Sequence, residues 1–245
     1  KYLLKIVKQA FIDTARQSVD IMAFLAGRHF PVPRIIRTAE GTPYFAMHEG
    51  GRESICILFE FIEGREPELG EKMEETGALV GRLHQLMSRY DGSMTFHGKG
   101  FFIDRYIDIL RRKEYPEEKL ARYIEYGNEL WENVKDLPKG YCHGDLHRGN
   151  LLLTPSDQLY LLDFDTSCRA FPAYDTMVIC DATDYFRFDP EGFDRAARVY
   201  GQFLRGYRKV HAITDAERDA FYTCIAIRHY QLQATIMEIH GLDCV

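Results

Sequence analysis

The stretch 141–165, YCHGDLHRGNLLLTPSDQLYLLDFD, gathers side chains that could act on a phosphate. Asp145 and Asn150 are separated by four residues, and His143 stands just before them. An aspartate and an asparagine at that spacing can lie on one side of a tight turn. The apolar run Leu151–Leu153 would anchor the turn in a core, and a second strand, Tyr160 to Leu162, ends in Asp163. Phosphoryl transfer asks for such a set. Its transition state is loose, so a protein supplies position and charge neutralisation more than covalent chemistry. One carboxylate must meet the incoming hydroxyl. An amide and a second carboxylate must offer Mg²⁺ the oxygen ligands it prefers. The spacing predicts Asp145 as the base, with Asn150 and Asp163 on the metal. Asp165 could touch the metal or hydrogen-bond the loop. Cys142 invites a nucleophile reading, but its place before the loop favours a buried packing residue.

The elements that must position these groups follow from periodicity and turn residues. Residues 1–6 read as a strand. Residues 12–27 carry Ile12, Ala15, Val19, Met22 and Ala26 at helical spacing, with Asp13 as the expected N-cap. Strands are expected near 43–48 and 54–62 around the turn EGGR, with Gly64 closing the second. From Glu71 the pattern is helical, with Leu79, Leu83 and Leu86 on a core face and His84 near it. Further helices are expected at 101–113, 116–135, 174–186, 190–209 and 214–240, and a hairpin at 151–163. The chain thus divides into a strand-rich part, 1–63, and a mainly helical part, 64–245.

Bulk properties narrow the function classes. The 245 residues carry 31 basic and 37 acidic side chains, a net charge of −6, which argues against a nucleic-acid binder. No apolar run approaches a membrane span, and no signal peptide is evident. The six cysteines show no C-x-x-C spacing, so reduced, buried thiols and a cytoplasmic location are expected. Oligomeric state is left open.

HGDLHRGN followed by LLDFD resembles the HGDxHxGN signature of the aminoglycoside phosphotransferase and choline kinase superfamily. The resemblance covers most of the chain. It implies a two-lobed, protein-kinase-like α+β fold, with a truncated antiparallel-sheet N-lobe and a mainly helical C-lobe, and ATP with Mg²⁺ in the cleft between them. YLLKI is similar to the strand bearing the nucleotide-binding lysine, which makes that residue Lys5. LFEFIEG resembles the hinge, where the Glu60 carbonyl and the Ile62 amide would bond the adenine. His147 takes the position of a phosphate-contacting residue, although a structural role fits it equally. His143 would support the loop. AYD resembles a helix start whose aspartate, Asp175, braces the loop. Arg148 stands where proline is frequent, which implies a less rigid loop. FDTSCRAFPAYDTMVIC is similar to the bacterial homoserine kinase branch.

Two departures accompany the resemblance. No glutamate occurs between Lys1 and Arg37, so the helix glutamate that would pair Lys5 is missing, and Asp20 is the candidate substitute. The strand–Gly-rich loop–strand unit expected before KYLLKI is also absent, as though the preceding strands had been lost. The implied acceptor is a small-molecule alcohol. Asp165, Asp175, Asp181, Asp184 and Asp189 could favour a cationic one such as an amino alcohol or amino sugar, or could be caps and turn residues. Arg228 could hold the carboxylate of a homoserine-like substrate, or be a surface arginine. A protein Ser/Thr acceptor and a non-catalytic nucleotide-binding scaffold are the competing readings.

Overall fold

The computed structural model describes residues 1–187 and 189–241. Cys244, expected to be a reduced thiol, lies outside them. Strand β1 (Tyr2–Lys8) pairs antiparallel with β4 (Arg52–Glu60), which also pairs with β2 (Ile35–Ile36) and β3 (Phe45–Glu49). The β3–β4 turn falls at Gly50–Gly51, as the glycine pair predicts. Strand β4 begins and ends two residues earlier than expected, so Gly64 lies beyond it. Helix α1 (Ile12–Ala26) packs Ala15, Val19, Met22 and Leu25 against this sheet. Asp13 does not cap it. Phe11 occupies the N-cap without a side-chain bond, because a 3₁₀ turn at Gln9–Phe11 leads directly into the helix.

The remainder is mainly helical. Helices α2 (Met73–Met87), α3 (Arg105–Arg112) and α4 (Glu117–Glu132) precede the strand β5 (Gly140–Cys142). The hairpin β6 (Leu151–Leu153) and β7 (Leu159–Leu161) follows, then β8 (Cys168–Ala170), which pairs with β5. Helices α5 (Ala173–Val178), α6 (Gly192–Tyr207), α7 (Asp215–Asp219) and α8 (Phe221–His240) complete the described chain. Three expectations are corrected here. The helix expected at 101–113 opens with a π turn at Gly100–Asp104. The one expected at 174–186 stops at Val178, beyond which Asp181 and Asp184 bond nearby turn groups. The last is broken at Ala220 between α7 and α8. The apolar core runs continuously from Val7 and Ile55 in the sheet to Phe171, Phe203 and Ile227 among the helices. The five cysteines among the described residues are free and buried.

Helices α2 and α6 cross at van der Waals contact because both are glycine there. A Cβ on Gly206 would lie 1.7 Å from the Glu74 carbonyl oxygen, and one on Gly77 would lie 2.0 Å from that of Phe203. Both obstacles are backbone, so relief requires the helices to separate. Gly206→Ala is expected to destabilise the fold by about 2 kcal/mol or more, as overpacking does. Thermal unfolding should read this as a Tm loss of roughly 5 °C or more. An unchanged Tm would mean the crossing is looser than described.

Candidate active site

The chain passes from β4 through Glu60, Phe61 and Ile62, then returns to the hairpin, where Arg65 and Leu153 exchange backbone hydrogen bonds of 3.0 and 2.7 Å. That passage forms one wall of a cleft of about 500 Å³. Leu3 and Lys5, alternate residues of β1 and so on one sheet face, form another wall. The third comes from the hairpin, with Asn150, Leu152, Leu162 and Asp163. The cleft is largely apolar, with Lys5, Asn150 and Asp163 among its polar lining groups. An apolar cleft with a few charged groups in its lining suits a planar base carrying phosphates.

The loop 143–150 is fixed from behind. Asp175, wholly buried, accepts hydrogen bonds from the amides of His143 (2.6 Å) and Gly144 (3.0 Å). Its Oδ2 also accepts from His84 Nε2 at 3.2 Å, while Tyr207 lies 2.8 Å from His84 Nδ1. Gly144 has φ +85°, and a Cβ there would meet the Thr166 carbonyl oxygen at 2.3 Å, so the turn admits only glycine. The His143 ring donates from Nε2 to the Leu162 carbonyl at 2.9 Å, tying the loop to the segment before Asp163. Burial lowers the His143 pKa, so its ring stays neutral and structural. Arg148, expected to loosen the loop, fastens it by a 3.3 Å bond to the Pro67 carbonyl and a 3.6 Å approach to Glu66.

Within this frame the chemistry-bearing groups are ordered. Asn150 donates from Nδ2 to the Asp145 carbonyl at 2.7 Å, which commits its nitrogen and leaves its oxygen available to a ligand. Asp163 has φ +54°, a left-handed conformation uncommon outside glycine and typical of functional positions. Its side chain is 53% exposed and open to the cleft. Lys5 Nζ lies 3.1 Å from Asp163 and 2.6 Å from Asp165. Burial alone would lower the lysine pKa, but these two carboxylates outweigh it and raise it, so the cation persists at any physiological pH. Asp20 is therefore not the partner of Lys5. It is exposed, and the carboxylates that a helix glutamate would otherwise complement come from the hairpin side.

Asp145 is a strongly perturbed carboxylate beside two basic side chains. Burial would raise its pKa, but His147 and the Arg228 guanidinium hold it below the ordinary carboxylate range. His147 Nε2 lies 3.4 Å from Oδ2, and its Nδ1 accepts from the Gly149 amide at 3.0 Å. Arg228 Nη2 donates to Oδ1 at 2.7 Å. Arg228 is 7% exposed, which rules out the surface reading, and its bonds run to groups inside the protein. Cys142 is buried with its thiol pKa pushed well up, chiefly by burial, and is inert as a nucleophile. Sequence alone does not single out Tyr174, Gln231 or the bracing role of His84. A glutamine three residues after an arginine in the helix stretch CIAIRHYQLQA was the signal available for Gln231.

The donor set fits a divalent magnesium ion. Asn150 and Asp163 offer oxygens, and Asp165 Oδ1 is buried without a partner. No group of three or more His, Cys, Asp or Glu side chains among the described residues could hold a metal alone. Magnesium is commonly held this way, by one or two carboxylates with phosphates and water completing its shell.

Residues 1–213 match the model of the phosphotransferase enzyme family. The chain belongs to this family. A homoserine kinase of Zymomonas mobilis is 23% identical over 205 residues, 80% of this chain and 61% of that protein. The chain thus spans about three-fifths of the length of that curated relative. The solved structure of amicoumacin kinase hAmiN with AMP-PNP, Ca²⁺ and Ami superposes with a TM-score of 0.78 at 19% identity. That match covers 100% of this chain and 76% of the other. A microcompartment-associated aminopropanol kinase gives a TM-score of 0.68 at 18% identity, covering 100% and 78%. At these identities the likeness shows the fold, which is two-lobed and protein-kinase-like, as expected. No helix among the described residues is long and apolar enough to cross a membrane.

Proposed function

We propose that this phosphotransferase-family chain transfers the γ-phosphoryl group of ATP to the hydroxyl of a small molecule, with Mg²⁺ as cofactor. The observation that carries the reading is the convergence of Lys5 from the sheet with Asn150 and Asp163 from the hairpin on one cleft, while Asn150 is bonded to the backbone of Asp145. Phosphates there would meet Lys5, and the acceptor would approach from the Asp145 side. Glu60 and Ile62 would bond the adenine through backbone groups, and His147 would face the transferred phosphate.

Asn150 and Asp163 would hold Mg²⁺, with Asp165 beside them; the bound ion neutralises phosphate charge and fixes its position. The acceptor hydroxyl donates to Asp145. Its oxygen forms the new bond to phosphorus as the bond to the ADP oxygen breaks, and its proton passes to the carboxylate. A carboxylate held below its ordinary pKa is a weak base. That suits a loose transition state, in which the hydroxyl proton leaves late and orientation matters more than proton affinity. His143 and Asp175 hold the loop that presents it.

The names of the relatives point to an alcohol that also carries an amine, and homoserine and aminopropanol are the first acceptors to try. ATP consumption by the full-length protein, followed against a panel of amino alcohols, hydroxy amino acids and amino sugars, tests the reading. Acceptor-dependent formation of ADP and a phosphate ester is expected. Hydrolysis indifferent to every acceptor would count against it. Lys5→Met should reduce kcat/KM for ATP about 10- to 100-fold, since a charge-assisted contact contributes roughly 1.5–3 kcal/mol. An unaltered value would place the phosphates elsewhere.

A further inference from the structure

Arg228 and Gln231 stand three residues apart on α8 and so share a face. Both are buried, as is Tyr174 on α5. Arg228 Nη1 donates to Gln231 Oε1 at 2.8 Å and to the Tyr174 hydroxyl at 3.2 Å, and that hydroxyl lies 3.2 Å from the same Gln231 oxygen. Gln231 is itself held, since its Nε2 donates to Thr235 Oγ1 at 3.2 Å. Arg105 of α3 adds bonds of 3.0 Å to the Gln231 carbonyl and 2.6 Å to Thr235. The planar fork of Arg228 is thereby fixed from three helices; its Nε is buried without a partner, and its Nη2 reaches Asp145 Oδ1 at 2.7 Å.

We propose that Arg228 is a positioning residue: it immobilises one oxygen of Asp145 so that only the other, Oδ2, is presented to the acceptor hydroxyl. The proposal rests on the phosphotransfer reading above. A free aspartate side chain can rotate about its Cβ–Cγ bond and exchange its two oxygens. Here rotation would break a buried charge-assisted bond and leave a guanidinium without its carboxylate, which is strongly unfavourable. Oδ2 is left on the side of His147, 3.4 Å from the imidazole. The same geometry removes Arg228 from the acceptor's own recognition. Nη1 and Nη2 are committed to Tyr174, Gln231 and Asp145, and Nε, although without a partner, is buried, so a homoserine-like carboxylate would have to displace the residue it reacts beside. Lysine cannot replace it fully, because a point charge cannot span the three partners.

The two roles separate kinetically. A positioning arginine acts on kcat, whereas a carboxylate clamp acts on the KM of carboxylate-bearing acceptors alone. Steady-state kinetics of the full-length protein with Mg-ATP should be compared using L-homoserine and 1-amino-2-propanol, with hydrolysis by water as the default acceptor reaction. Arg228→Met is expected to lower kcat roughly 100-fold for every acceptor that the wild type uses, the cost of misplacing a reacting group. Acceptor KM and the dissociation constant of AMP-PNP should stay within about twofold. Added guanidinium ion should restore part of the lost rate, and Arg228→Lys should lie between Met and wild type. Tyr174→Phe removes one support with little change of volume, and should lower kcat in the same direction by a smaller factor even if Arg228→Met fails to fold. A wild-type kcat in both Arg228→Met and Tyr174→Phe overturns the proposal, as does a loss confined to the KM of homoserine. A wild-type enzyme that transfers phosphate to no acceptor and does not hydrolyse ATP would overturn the phosphotransfer reading itself, and the positioning role with it.

Discussion

Asp145→Asn is expected to lower kcat by roughly 10³-fold while leaving nucleotide affinity within about twofold. The asparagine keeps the size of the side chain and an oxygen for Arg228, whose 2.7 Å bond orients the group. What it loses is negative charge and the ability to take a proton. Asp145 does not line the cleft beside Lys5 and Asp163, so binding of ATP there should not register the change. The expected pattern is therefore a fall in kcat with nearly constant KM for ATP, measured in an acceptor-dependent assay. Equal turnover by the variant would remove Asp145 from the reaction, and a large loss of nucleotide affinity would place it in the wrong half of the site.

Asp175→Ala should have the largest effect on stability, about 3–5 kcal/mol. The carboxylate is wholly buried and accepts two backbone amides and an imidazole nitrogen. Its removal strands three donors where water does not reach. It also releases the turn that presents Asp145, so activity should fall in the fraction that stays folded. Asp175→Asn keeps the volume and one acceptor, and should lie between alanine and wild type. Urea denaturation measures both. A loss below about 1 kcal/mol for Asp175→Ala would show that the loop is braced by other contacts.

The local half of this site was legible in the sequence because its parts are neighbours in the chain. HGDLHRGN and LLDFD carry the loop, the hairpin strands and their charged ends within 23 residues, and the two strands close on each other as the apolar runs require. Lys5 was also legible in its place on a strand. Its partners were not. Asp20 is near in sequence and Asp165 is far, and only the closing of sheet onto hairpin decides between them. Arg228 shows the same limit. In one dimension an arginine in a late helix reads as surface or ligand-binding. Its burial depends on α5 and α3 packing against α8, and on an aspartate 83 residues earlier accepting its charge. The helix boundaries that moved, at Asp13, Gly100, Val178 and Ala220, are places where 3₁₀ or π turns and side-chain bonds compete with a continuing helix.

One cleft is expected to take the nucleotide together with its metal through Asn150 and Asp163. Calorimetric titration of AMP-PNP into the full-length protein, with and without Mg²⁺, tests it most directly and needs no knowledge of the acceptor. Mg²⁺ is expected to strengthen binding about tenfold or more, and Asp163→Asn and Asn150→Ala are each expected to abolish that gain. Affinity that is indifferent to Mg²⁺, or a metal effect that survives both substitutions, would contradict it.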